Sequence, residues 1–150
     1  MTLYSFLVLI HTFSAVIGIG PGFVMIYIVS NARNMSELRY AYLIRMRLHI
    51  FVMVGGSLLL ITGLLMGALN PILFQAGWYV TSLILFLIAL ALGPTVLSPR
   101  FKPIKALLES HTGDEIPETY YELGKKLFFF ERIENAILLI VIALMITKPF

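Results

Sequence analysis

The sequence contains no cysteine, which excludes disulfides and thiolate-ligated metals. Charge is also scarce: 13% of residues are charged and 59% are hydrophobic. A soluble domain carries roughly a quarter charged residues and about half apolar ones. One small globular core cannot bury the excess, so the bilayer is the natural solvent. There is no internal repeat and no low-complexity segment. No dense cluster of methionine and histidine is present either.

What is there is long apolar runs. Four are near or above the ~20 residues that a hydrocarbon core of ~30 Å requires. They cover about 3–29, 50–69, 77–97 and 127–147, with loops expected at 30–49 and 98–126. The first reads as a retained span rather than a cleaved signal. Its run is long, no basic residue precedes it, and no small-residue cleavage site ends it. Lipid offers no partner for free backbone groups, so each span must be a helix.

Basic residues orient the spans. Arg33, Arg39, Arg45 and Arg47 fall near the first loop; Arg100, Lys102, Lys105, Lys125 and Lys126 fall in the third. The second loop, "NPILFQAG", has none, and the tail has only Lys148. Nine against one is a positive-inside pattern. The expected fold is all-α: a single-domain, integral membrane four-helix up-down bundle with both termini outside. Trp78 and Tyr79 then sit at the outer interface, and Tyr27, Tyr40, Tyr42, Tyr120 and Tyr121 near the inner one. "SPRFKPIKALLE" reads as a short amphipathic surface helix. Topology accounts for the positive charge, so nucleic-acid binding has no support.

The first span contains "HTFSAVIGIGPG", residues 11–22. His11 lies about 8 residues, ~12 Å, inside the helix. A buried imidazole needs a hydrogen-bond partner or a metal. Ala15, Gly18 and Gly22 follow on its face at helical spacing. Such a small face admits either another helix or a flat ligand, and Pro21 is expected to bend the helix. The residues alone leave two readings of His11 open: a hydrogen bond between helices, or a ligand or proton site. On the second span, Met53, Gly56, Gly63 and Gly67 follow His49 and read as a packing face. His49 is expected at the interface, too far in depth from His11 for the two to share one metal. His111 is expected in solvent.

The last span begins "FFFERIENAILLIVIALMITKPF". Only 12 apolar residues run from Ala136 to Thr147. Glu131, Glu134 and Asn135 are therefore drawn into the membrane margin, where carboxylates must face the bundle or a wet cavity. Arg45 and Arg47 are the expected partners. The cluster reads as an ion pair locking two helices, or as a proton-linked or propionate-binding site.

The motifs "H…SAVIGIGPGF", "R…GGSLLLITGLLM", "GWY", "PRFKPI" and "ALMITKPF" resemble those of an uncharacterised bacterial family of four-span membrane proteins. That family is distantly similar to HemJ-type protoporphyrinogen oxidases and to the membrane domain of CopD copper-resistance proteins. The resemblance implies a protein of the bacterial cytoplasmic membrane. It also implies b-type haem held by His11, since HemJ-like proteins are thought to use the histidine of their first helix. HemJ-like proteins also use a lysine early in the third helix, where this chain has Thr81 and Ser82. The first functional reading is therefore a haem b redox protein. His11 is its axial ligand, Ala15, Gly18 and Gly22 lie against the macrocycle, and Met66 or Met145 is a possible second ligand. The second is a non-enzymatic accessory or packing subunit, in a homo-oligomer or a larger membrane complex. A metal- or proton-linked transporter ranks third, because the two ionisable clusters lie at opposite depths. No set of catalytic residues emerges.

Overall fold

The computed structural model describes residues 1–150 and is helical almost throughout. Its helices are α1 (Leu3–Ser30), α2 (Met35–Leu69), α3 (Gly77–Leu92), α4 (Ser98–Ser110) and α5 (Glu118–Thr147). A 3₁₀ turn (Pro71–Gln75) precedes α3, and a π-helical turn (Gly93–Leu97) joins α3 to α4 in one rod. Pro94 has no N–H to give, and the wider turn accommodates it. Three rods are long and apolar enough to cross a membrane: Leu3–Ser30, Met35–Leu69 and Gly77–Ser110. In α5, Glu131, Arg132 and Glu134 interrupt the apolar stretch.

Two helix boundaries differ from the sequence expectation. The segment 30–49, expected as a loop, is mostly helix, because α2 starts at Met35 rather than Ile50. Asn34 caps it by accepting the Glu37 amide at 2.8 Å, while the Glu37 carboxylate accepts the Arg33 amide at 2.8 Å. That is a reciprocal cap of the capping-box kind. Met35, Leu38, Tyr42 and Arg45 then recur on one buried face. Likewise α5 starts at Glu118, nine residues before Leu127, so the loop 98–126 holds α4, a short connection and the first turns of α5.

Neighbouring helices run antiparallel. α1 packs chiefly on α2, and α3 on α5. The α1–α2 contact is backbone on backbone. A Cβ on Gly18 would lie 2.8 Å from the Gly55 carbonyl carbon, and one on Gly55 would strike the Gly18 backbone. Only glycine permits this approach. Gly56 instead faces the Leu90 side chain across on α3.

Two cores hold the rods. One lies near the α4 end: Val29, Met35, Leu38, Tyr42, Ile104, Leu108, Tyr120 and Leu127 are among its members. Polar links close it, from the Met35 amide to the Asp114 carbonyl at 2.8 Å and from Arg39 Nε to the Leu108 carbonyl at 2.9 Å. Arg39 also reaches the His111 carbonyl, so the two polar connections form one cap. α4 sinks Ile104 and Leu108 into this core. The smaller core, Ile19, Leu59, Phe86 and Val141, lies mid-bundle. Only 29 of 150 residues are buried. Large apolar side chains such as Phe13, Ile50 and Ile140 face outward, as a lipid-facing surface requires.

Gly18→Leu is expected to force α1 off α2 and cost about 1–3 kcal/mol or more by overpacking. Gly20 faces open space, so Gly20→Ala is expected to be neutral. Thermal unfolding of the two variants in detergent checks this. Equal stability would remove the glycine contact from the fold's requirements.

Candidate functional site

The end of the bundle that carries both chain termini holds a cavity of about 540 Å³. Eighteen of its 24 lining residues are hydrophobic, which suits it to a lipophilic guest. Its volume lies within the ~300–1,000 Å³ usual for small-molecule and cofactor sites. All four rods contribute: His11 and Ala15 from α1, Met66 from α2, Tyr79 and Ser82 from α3, Met145 from α5.

His11 is the most informative of these. Its Nδ1 lies 2.8 Å from Thr62 Oγ1. The Thr62 hydroxyl already donates to the Leu58 carbonyl at 2.6 Å. With its proton on the Leu58 carbonyl, the Thr62 hydroxyl can accept from Nδ1–H of His11. In that arrangement the neutral imidazole carries its lone pair on Nε2, and the Leu59 backbone also lies within reach of the ring. This is how second-shell hydrogen bonds orient ligating histidines. Gly63 makes room for the ring: a Cβ there would lie 3.5 Å from His11 Cε1.

Gly18 and Gly22 do not line the cavity, contrary to the expectation that they face a macrocycle with Ala15. Gly18 is taken up by Gly55. The Gly22 carbonyl accepts Asn135 Nδ2 at 3.3 Å. The stripe is divided: its upper part, His11 and Ala15, opens to the cavity, and its lower part packs on helices. Met66 and Met145 do line the same cavity as His11. His49 is exposed, 13 residues along α2 from Thr62, about 20 Å away.

The rim has its own chemistry. Trp78 and Lys148 both line it, with Lys148 Nζ 5.3 Å from the Trp78 ring centroid. Tyr79 is buried beside them and donates to the Gly63 carbonyl at 2.8 Å. Ser82, one turn deeper than Trp78, is fully buried, and its Oγ has no hydrogen-bond partner.

A second polar cluster lies toward the α4 end. Arg45 and Glu131 form a two-pronged buried ion pair, one bond of which, from Nη1 to Oε2, is 3.1 Å. Arg45 also lies 5.8 Å from the Tyr42 ring centroid, and the Tyr42 and Tyr120 hydroxyls are 3.2 Å apart. Burial pushes the Tyr120 phenol above its ordinary range. Arg47, the other expected partner, is exposed. Glu134 has no hydrogen-bond partner among the side chains, though Arg45 is near. The cluster thus joins α2 to α5 through one pair, and α5 to α1 through Asn135.

A family model described as "Predicted integral membrane protein" matches residues 5–149. The chain belongs to that family, DUF2269. No curated protein and no solved structure matches it. Membership and the three long apolar helices together make this an integral membrane protein. The chain contains no group of three or more His, Asp or Glu residues able to hold a metal. A bare metal ion therefore lacks a ligand set of that kind. A haem iron asks less, because the macrocycle supplies four ligands and the protein one or two.

Thr62 and Ser82 were not singled out as site residues by sequence reasoning. Thr62 had a usable signal. It lies eight residues before Asn70, as His11 lies eight after Leu3, so antiparallel neighbours bring them to one depth.

Glu131→Ala leaves Arg45 charged and unpaired, with an expected loss of about 3–5 kcal/mol. The double variant Arg45→Met/Glu131→Leu is expected to recover most of it. Denaturation of the single and double variants in detergent decides. An equal loss in both would show that removing the lone charge is not what matters.

Proposed function

We propose that this is a multi-pass protein of the bacterial cytoplasmic membrane that binds haem b in the cavity beside His11. The observation that carries the reading is an imidazole on the wall of an apolar cavity: His11 lines it, with Nδ1 on the Thr62 hydroxyl. His11 would hold the haem iron, with Met66 from α2 or Met145 from α5 the candidate second holder, and Ala15 forms part of the wall. Bound haem would supply one-electron chemistry. The chain's own part is to fix the imidazole through Thr62 and to surround the site with apolar side chains that keep water out. The choice of cofactor rests on the distant similarity to HemJ-type and CopD proteins that the sequence motifs lead one to expect of the family.

A second reading has its own observation. The Gly18–Gly55 contact spends half of the small-residue stripe on helix packing. A non-enzymatic accessory subunit of a larger membrane complex needs no more than that. Its cavity would then be a gap left between two helix pairs, and the protein would be colourless.

The topology proposed is an up-down bundle of four spans with both termini outside. It is supported by the nine basic residues near the α4 end against Lys148 alone at the other. α5 completes the set despite its charges, because Glu131 and Asn135 turn inward.

Two experiments test these statements. In detergent-purified protein from haem-sufficient cells, dithionite is expected to shift a Soret band and resolve an α band. His11→Ala is expected to lose both while remaining folded. A flat spectrum after haem addition, or full haem retention in His11→Ala, overturns the haem reading. The cysteine-free background also permits single-cysteine mapping. A cysteine at Gln75 is expected to react with an impermeant maleimide in intact cells, and one at Glu109 only after permeabilisation. The reverse pattern would invert the topology.

A further inference from the structure

We infer that the cavity takes an amphiphile ending in a carboxylate, with its apolar body inside the bundle and its acid on Lys148 at the rim. This rests on the cavity's being a ligand site, but not on iron or on His11.

Lys148 is the one charged side chain that lines the cavity; no Asp or Glu does. The chain's one ion pair joins Arg45 to Glu131, so Lys148 has no carboxylate partner. It is not on a loose tail. Its amide closes α5 on the Leu144 carbonyl at 2.9 Å, with its backbone left-handed at φ 45°. Two residues on, the Phe150 carbonyl accepts the Trp78 amide at 2.9 Å. The Phe150 ring seats on Gly77, where a Cβ would strike it. The backbone is thus anchored on both sides of Lys148, and the ammonium is held over the Trp78 ring. A fixed cation at the mouth of an apolar cavity, with no anion on its walls, is complementary to an acid carried on an apolar body.

Ser82 gives an independent sign of a ligand. Thr12, Ser14, Ser30, Ser57, Thr95 and Thr147 each donate to the carbonyl four residues back. Ser82 does not, although it is completely buried. A buried hydroxyl left without a partner is unfavourable. It lies one turn below Trp78, on the same wall of the cavity, and a ligand oxygen there would satisfy it.

A free fatty acid and a porphyrin with propionate arms share this chemistry, and one experiment separates them. Trp78 is the only tryptophan, so its fluorescence reports the rim. Purified protein in detergent is titrated with a brominated long-chain fatty acid and with its methyl ester. Metal-free protoporphyrin and its dimethyl ester form the second pair. The expected result is saturable quenching in which one acid binds about tenfold tighter than its ester, a preference worth about 1.4 kcal/mol. Lys148→Gln is expected to abolish the preference and Lys148→Arg to keep it. The pair that shows the preference identifies the source of the carboxylate. Saturable binding in which every acid and ester are equal overturns the headgroup assignment and leaves the cavity as a ligand site. No saturable binding of any probe overturns both.

Discussion

The ion pair of Arg45 and Glu131 is the charged link between two helix pairs that otherwise meet through two apolar cores. α1 with α2, and α3 with α5, each pack along their lengths. Between the pairs, firm polar contacts gather toward the α4 end: Arg45 to Glu131, Tyr42 to Tyr120, and Asn135 to the Gly22 carbonyl. At the other end the Tyr79 hydroxyl links α3 to the Gly63 carbonyl of α2, and the cavity lies among all four rods. The pair also has to be complete to be tolerated. Each charge alone would be an unpaired ion in a low-dielectric setting, whereas together, in two-pronged geometry, they satisfy one another.

Glycine serves two ends on adjoining turns of the same helices. At Gly18 and Gly55 the missing side chains let two backbones touch. About two to three turns away, Gly63 leaves room for the imidazole of His11, and Gly67 for Tyr79 and Phe74. The first use draws α1 and α2 together. The second lets polar rings enter between helices so drawn. Without the close crossing, His11 and Thr62 would not come within hydrogen-bond distance.

Much of this was legible in the sequence. The apolar runs named the helices, and the shortness of the last run drew Glu131 and Asn135 inward. Arg45 was one of two partners expected for the carboxylates, and helical phase decides between them: Arg45 shares a face with Leu38 and Tyr42, Arg47 does not. The start of α2 was obscured because its first turns carry arginines, which mark a cytoplasmic flank without saying whether the flank is coiled. Small-residue spacing found a packing face on each helix. It assigned Gly56 where Gly55 makes the contact, since two adjacent glycines differ only by about 100° of phase. The partner of His11 and the orphan hydroxyl of Ser82 depend on which rods adjoin. Sequence periodicity is silent on that.

The 86 residues that separate Arg45 from Glu131 bear on how the protein is made. Synthesis delivers α1 and α2 first, and these can pair through their glycines as soon as both are in the bilayer. Arg45 then has no counter-charge until nearly the whole chain has been translated. During that interval its guanidinium must be satisfied by water and lipid phosphates, which a long side chain near a helix end can reach. The arrival of α5 ends the wait. Assembly of the two halves is therefore a late and separable event, and a chain truncated before Glu131 would leave Arg45 without its counter-charge, tethered to the membrane surface.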